Sequence, residues 1–113
     1  MLTLQHLIDT LAFTPLTTYD PDTPVTGGYA GDLLSWVMSR CAPGDAWITV
    51  MGSLNAVAVA VLADAACIIL AEDAALDNDA ATRAEMQSVP ILRSSDSSFV
   101  LSAALTKMLQ EEA

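Results

Sequence analysis

The sequence has few positive charges. Among its 113 residues, Lys and Arg number 4 against 14 Asp and Glu, which gives a formal net charge of -10. Nucleic-acid binding needs a basic surface that neutralises phosphates, and anionic lipid headgroups repel an acidic surface. We therefore predict that neither nucleic acid nor a membrane is a partner of this protein.

Long hydrophobic runs are also absent. The longest charge-free apolar run, residues 56–63, ends at Asp64, well short of the ~20 residues of a membrane-spanning helix. Residues 1–12 contain Asp9 but no Lys or Arg, so they lack the basic start of a secretory signal. These absences predict a cytoplasmic protein.

Aromatic residues make up only 5% of a chain that is 53% hydrophobic, so Ala, Val, Leu, Ile and Met must form most of its core. Its length predicts a single domain that comprises residues 1–113. Cys41 and Cys67 match no metal or redox spacing and are predicted to be buried thiols. Trp36 and Trp47 stand in apolar runs and are predicted to anchor the core or an interface.

The order of sequence patterns predicts an α/β fold. Residues 3–11 have helical periodicity, residues 14–31 are rich in Pro and Gly, and a helix capped by Asp32 should end near Arg40. An apolar strand is predicted over residues 46–51. Alternating Ala and Val over residues 54–63 would suit a strand, but we predict a helix because another strand, residues 65–70, follows at once.

The second half of the chain continues this alternation. A helix ending at Gln87, a strand over residues 90–92 and a final helix are predicted, with Val100, Leu101 and Leu105 in the buried stripe of that helix. Strands alternating with helices predict a three-layer sandwich. Its mostly parallel or mixed sheet should have about four to six strands, including irregular edge strands, with helices on both faces.

The first candidate site is the glycine-rich segment 26–32, which includes Gly27, Gly28 and Asp32. A glycine turn before a helix lets backbone N–H groups approach an anion. However, the segment matches neither of the common phosphate-binding glycine motifs. The alternative is a turn that requires positive φ angles, followed by a helix cap at Asp32.

The second candidate site is the junction of residues 49–55, where a central strand runs into a helix. Ligands of open α/β sheets favour the crevice outside the carboxyl ends of the strands. Thr49, Gly52, Ser53 and Asn55 are the candidate ligand-binding residues there, and the alternative is that Ser53 and Asn55 only cap the helix. Glu72 and Asp73 follow the next strand and could line the same crevice.

No catalytic or metal-binding residues are predicted. The single histidine, His6, has no partner pattern for nucleophilic catalysis, and the scattered carboxylates have no metal-ligand spacing. We therefore expect a protein that is not an enzyme and has no cofactor.

Residues 27–108 resemble the DRTGG domain family. The resemblance is carried by residues 28–38 (GYAGDLLSWVM), 44–49 (GDAWIT) and 55–60 (NAVAVA), followed by the apolar strand 67–70 and by residues 89–92 (VPIL). The motif that names the family is echoed only by Thr26, Gly27 and Gly28. The resemblance implies a fold like that of the N-terminal domain of HPr kinase/phosphorylase, here in a small standalone bacterial protein.

Related DRTGG domains are accessory modules of phosphotransacetylases and of pyrophosphatases with CBS domains. The resemblance therefore implies a regulatory module without catalysis. Together with the strand-end argument above, it leads us to expect that a small, nucleotide-like ligand is sensed at the junction of residues 49–55. The alternative is a homodimerising assembly module that serves a partner protein in signalling or redox metabolism, without a small-molecule ligand.

Overall fold

A computed structural model describes residues 1–112, which form five helices and five strands. The helices are α1 (Leu4–Leu11), α2 (Leu34–Arg40), α3 (Leu54–Ala63), α4 (Asn78–Gln87) and α5 (Ser98–Glu111). The strands are β1 (Thr14–Pro15), β2 (Gly27–Ala30), β3 (Asp45–Thr49), β4 (Cys67–Leu70) and β5 (Ile91–Arg93).

The five strands form one mixed sheet in the order β1-β5-β4-β3-β2. The four strands from β2 to β5 are parallel, and the two-residue β1 pairs antiparallel with β5. The Pro- and Gly-rich stretch contributes both edge strands, β1 and β2. The predicted α/β sandwich is confirmed.

Each face of the sheet packs against its own helices. Ala46 and Ile48 share one core with α1 and α5, whereas Trp47, between them, belongs to the core formed with α2, α3 and α4. All residues of β3 and β4 are buried. This explains the apolar residues 46–48 of β3 and 67–70 of β4, which are typical of parallel strands covered on both faces.

Serine side chains cap the start of two of the helices. Ser53 accepts a hydrogen bond from the Ala56 amide at the start of α3, and Ser97 accepts one from the Val100 amide at the start of α5. The helix predicted over residues 54–63 is therefore confirmed. It stops at Asp64, which adopts a left-handed conformation with φ 56°.

The predicted glycine turn and its cap at Asp32 are wrong. Gly27 and Gly28 belong to β2, and Gly44 is the only glycine of residues 1–112 with a positive φ. A Cβ atom at Gly28 would lie 2.6 Å from the Leu105 side chain, so this glycine allows α5 to approach the edge strand. The cap position of α2 is occupied by Leu33, without a side-chain hydrogen bond.

Val100, which was predicted to be buried, lies at the surface, and Trp36, which was predicted to anchor either the core or an interface, is not part of the core. Val100 is 48% exposed because α5 turns Leu101, Leu105 and Met108 inward instead. Trp36 is 51% exposed, since the short α2 buries only Val37. Trp47, by contrast, is completely buried.

Over residues 1–112, no helix is both long enough and apolar enough to cross a membrane.

Both cysteines are buried free thiols, as predicted. Burial, together with the nearby Asp45 carboxylate, raises the pKa of Cys41 to about 11. Burial also raises the pKa of Cys67 to about 12, with a smaller contribution from Cys41. The folded protein therefore holds both groups as neutral thiols at neutral pH.

We expect neither thiol to react with a disulfide reagent at about pH 8, because the thiolate is the nucleophile. In denaturant, the reagent should react with both thiols. Above about pH 9 the unfolded chain loses these protons while the folded chain keeps them, so the free energy of unfolding should fall as pH rises. Labelling of the folded protein as fast as that of the denatured protein would contradict the assignment.

Candidate functional site

A hydrogen bond joins two of the candidate residues, Asp32 and Thr49, at the carboxyl end of β3. The buried Thr49 hydroxyl donates to the Asp32 carboxylate at 2.7 Å, and the same carboxylate oxygen accepts from the Val50 amide at 2.9 Å. The Thr49 oxygen also accepts from the Met51 amide at 3.2 Å. Asp32 therefore holds the end of β3 instead of capping α2.

Two further contacts attach the entrance of α2 to β3. The indole Nε1 of Trp47 donates to the Gly31 carbonyl at 2.9 Å, and the Gly31 amide donates to the Ile48 carbonyl at 3.1 Å. Together with the Asp32 carboxylate, these bonds connect the backbone of residues 31–32 to β3. A displacement of the end of β3 would therefore act directly on the start of α2.

The junction that follows β3 is covered by the segment of residues 74–77. The Gly52 carbonyl accepts from the Asp77 amide at 2.9 Å, and a Cβ atom at Gly52 would run into the Ala75 carbonyl. The junction encloses no space that a water molecule could enter. The crevice expected here is therefore filled by the protein's own backbone.

Ser53 and Asn55 have different environments at this junction. The Ser53 hydroxyl is used as the α3 cap, at 3.3 Å from the Ala56 amide. Asn55 lies in the first turn of α3 with its side chain exposed, and among residues 1–112 it has no side-chain hydrogen bond. The capping interpretation is thus confirmed for Ser53 and is wrong for Asn55.

Gly27 and Gly28, the other two candidate residues, lie away from the candidates at the carboxyl end of β3. Gly27 pairs with Asp45, the first residue of β3, whereas Thr49 is its last. Gly28 lines an open groove of about 470 Å³ between β2 and α5. The candidate residues therefore form one group, Asp32, Thr49, Gly52, Ser53 and Asn55, at the carboxyl end of the sheet, with Gly27 and Gly28 elsewhere.

A pocket beside β5 was missed by the sequence reasoning. It has a volume of about 620 Å³ and is lined by Thr14, Asp73, Arg93, Ser94 and Asp96, among others. Arg93, one of only four cationic residues, directly follows the strand predicted over residues 90–92, and this was the available signal.

Glu72 and Asp73 do not line the crevice beside Ser53. Their amides donate to the carbonyls of Asp96 and Ser94, both at 2.9 Å, and both residues have positive φ angles. These bonds turn the chain after β4 towards β5. The residues that cover the junction are Ala75 and Leu76.

Metal-binding groups are not assembled in the described part of the chain. Residues 1–112 contain no cluster of three or more His, Cys, Asp or Glu side chains that could hold a metal ion.

Comparison with solved structures gives a match over most of the chain. The CBS and DRTGG domains of the regulatory region of Clostridium perfringens pyrophosphatase, complexed with the activator diadenosine tetraphosphate, superpose with a TM-score of 0.69. The chain shares its fold with part of this regulatory region. The match covers 89% of the chain at 12% sequence identity and confirms the DRTGG resemblance at the level of the fold.

The chain spans less than half of this structural relative, since the match covers 44% of the other protein's chain. Neither the protein-family models nor the curated proteins contain a match to this sequence.

Proposed function

We propose that this protein is a cytoplasmic regulatory module that binds a small, nucleotide-like ligand at the carboxyl end of its sheet, around residues 49–55. The observation that carries the proposal is the shared fold with a regulatory region that was solved with a nucleotide activator. Fold likeness alone does not assign a function, so the proposal depends on the residues at this end of the sheet.

The Asn55 side chain is the group best placed to meet a ligand. It is exposed and without a hydrogen bond within the described residues, and it lies in the first turn of α3. Helix N-termini favour anionic groups such as phosphates because their free amides and dipole point outward. We propose that a ligand binds Asn55 and displaces Ala75 and Leu76 from Gly52.

The Asp32–Thr49 hydrogen bond connects this site to the start of α2, so a change at the site could alter α2. Displacing the cover over Gly52 would disturb the end of β3, to which Asp32 and Gly31 are attached. A ligand shifts such an equilibrium only by its difference in affinity for the two arrangements. The regulatory output proposed here is a change in the position or mobility of α2.

Thermal unfolding with millimolar nucleotides, dinucleotides and acyl phosphates tests the proposal. A ligand at a hundred times its Kd should raise the free energy of unfolding by about 2.7 kcal/mol. Asn55→Ala should remove this shift. Asn78→Ala, at the exposed first residue of α4, is the matched control and should keep it.

Two outcomes would contradict this assignment. Absence of stabilisation by any of these compounds would count against ligand sensing, and an unchanged shift in Asn55→Ala would place binding elsewhere. Amide hydrogen exchange tests the route separately. Protection is expected over residues 52–56 and 31–37, and protection confined to the first segment would leave a passive site.

A second proposed function is assembly as a homodimer that presents a partner protein with a paired surface. It is favoured by large apolar side chains at the surface, among them Leu33, Trp36 and Leu62, which are 57%, 51% and 71% exposed. Contiguous exposed apolar surface often marks a protein interface.

A further inference from the structure

Strand β3 divides its backbone hydrogen bonds between its two neighbours in the sheet. The Ile48 carbonyl accepts from the Gly31 amide at 3.1 Å, on the side of β2, whereas the Thr49 carbonyl accepts from the Ala71 amide at 2.9 Å, on the side of β4. Backbone groups of successive strand residues point to opposite sides of the strand. The even-numbered residues of β3 therefore bond to β2.

The register then fixes the direction of the backbone groups of β2, which is the last strand of the sheet on its side. Tyr29 lies opposite Trp47, between the two residues of β3 that face β2, so its amide and carbonyl bond to those residues. Gly28 and Ala30 direct theirs away from the sheet. Both are exposed, and their backbone groups bond to no loop or helix of residues 1–112. This outer border of β2 therefore offers two amides and two carbonyls at the spacing of a further strand.

The open groove between β2 and α5 follows the same border. Gly28 and Ala30 lie on the face of β2 that α5 covers, since a Cβ atom at Gly28 would meet the Leu105 side chain. Neither residue has a side chain larger than a methyl group, so the space between strand and helix stays open. The helix lines the groove with apolar and uncharged polar residues: Ser102, Leu105, Thr106, Leu109 and Gln110.

We propose that the outer border of β2 and this groove bind an extended peptide segment of a partner protein. The segment adds a strand to the sheet, carries apolar side chains at alternate positions and has basic residues at its ends. This interaction is separate from the ligand site proposed above, which lies at the carboxyl end of β3.

The free backbone groups specify an extended occupant. A helix satisfies its own amides and carbonyls, whereas an extended segment can bond to those of both Gly28 and Ala30. Its side chains alternate between two faces, so every second one lies over the groove beside Leu105 and Leu109. Lysine, proline or other charged residues commonly block such edges. The sequence of β2, GGYA, contains none of them.

Carboxylates at both ends of β2 specify the charge of the occupant. A Cβ atom at Gly27 would meet the Asp45 carboxylate, and Asp32 follows two residues after Ala30. No residue that lines the groove is charged. Together with the net charge of -10, these carboxylates attract a segment whose ends carry Lys or Arg. They repel a second copy of this acidic chain from the same border.

Fluorescence anisotropy with labelled synthetic peptides tests the inference on the full chain. The probe is a peptide of about eight residues in which Val alternates with Thr between paired Lys residues. The wild-type protein should bind it at least ~10-fold more tightly than the same peptide flanked by Glu, because like charges oppose association. The difference should shrink between about 20 mM and 500 mM NaCl, since salt screens these charges.

N-methylation of the probe shows whether it binds as a paired strand. Methyl groups on every second amide should abolish binding when those amides face β2, and the complementary set, which faces solvent, should leave binding intact. Ala30→Pro removes an amide that β3 does not use and should weaken binding at least ~10-fold, because a peptide carbonyl loses its donor. Ala30→Ser keeps the amide and is the matched control, with binding like that of the wild-type protein.

Three results would overturn the inference. These are no binding of the Lys-flanked peptide, equal binding of the two N-methylated peptides, and a wild-type dimer that Ala30→Pro converts to a monomer in light scattering. The last result would mean that a second copy occupies the border of β2. Circular dichroism checks the folding of Ala30→Pro. If this variant is unfolded, the two N-methylated peptides still decide the question with the wild-type protein.

Discussion

Gly52→Ala is expected to lower the free energy of unfolding by about 3 kcal/mol, the upper range for overpacking a well-filled site. The added Cβ would meet the Ala75 carbonyl and lie 3.0 Å from the Leu76 Cα atom. These are backbone atoms, which cannot rotate away as a flexible side chain can. The φ angle of Gly52 is not positive, so the loss would come from this contact and not from backbone strain.

Gly31→Ala is the matched control, because it makes the same chemical change a few residues before α2. Its Cβ would face only the Tyr29 side chain, with a nearest distance of 3.1 Å. Thermal and denaturant unfolding of both variants should show a much larger loss for Gly52→Ala. Equal losses would mean that the segment of residues 74–77 yields easily, as it must if a ligand is to displace it at little cost.

Trp47→Ala is expected to lower the free energy of unfolding by about 3–5 kcal/mol, as for other large buried aromatic residues. Trp47 is fully buried in β3, and its indole contributes to the core shared with α2, α3 and α4. The cavity left by its removal would lie in this shared core. Denaturant titration monitored by circular dichroism measures the loss.

Trp47→Phe separates packing from hydrogen bonding at the same position. It retains most of the apolar volume but removes the 2.9 Å bond to the Gly31 carbonyl, which should cost about 1 kcal/mol. A loss as large as that of Trp47→Ala would show that the hydrogen bond, and not the ring, dominates the contribution of this residue.

The elements with strong local signals could be predicted from the sequence. Residues 54–63 carried a strand-like alternation of Ala and Val, and the serine cap at position 53, with the strand that followed at once, identified the helix correctly. The apolar residues of β3 and β4 likewise marked strands covered on both faces. Each of these signals lies within a few residues of the element it defines.

The candidate site was harder to predict because its arrangement depends on distant segments. The role of Gly28 is set by Leu105, and that of Gly52 by Ala75; neither partner is visible in the local pattern. Aspartate is a residue type that commonly caps helices, but tertiary contacts direct the Asp32 carboxylate to Thr49. The sequence therefore pointed to the end of the sheet where five of the candidate residues lie together, but not to the filling of the crevice there.

The edge strand β1 is poorly suited to pair with a further strand. β1 is only two residues long, and its second residue, Pro15, has no amide hydrogen to offer a further strand. Short edge strands that contain proline are a common protection against edge-to-edge aggregation. This short strand therefore hinders the pairing of a further strand at its edge of the sheet, in a chain that is 53% hydrophobic.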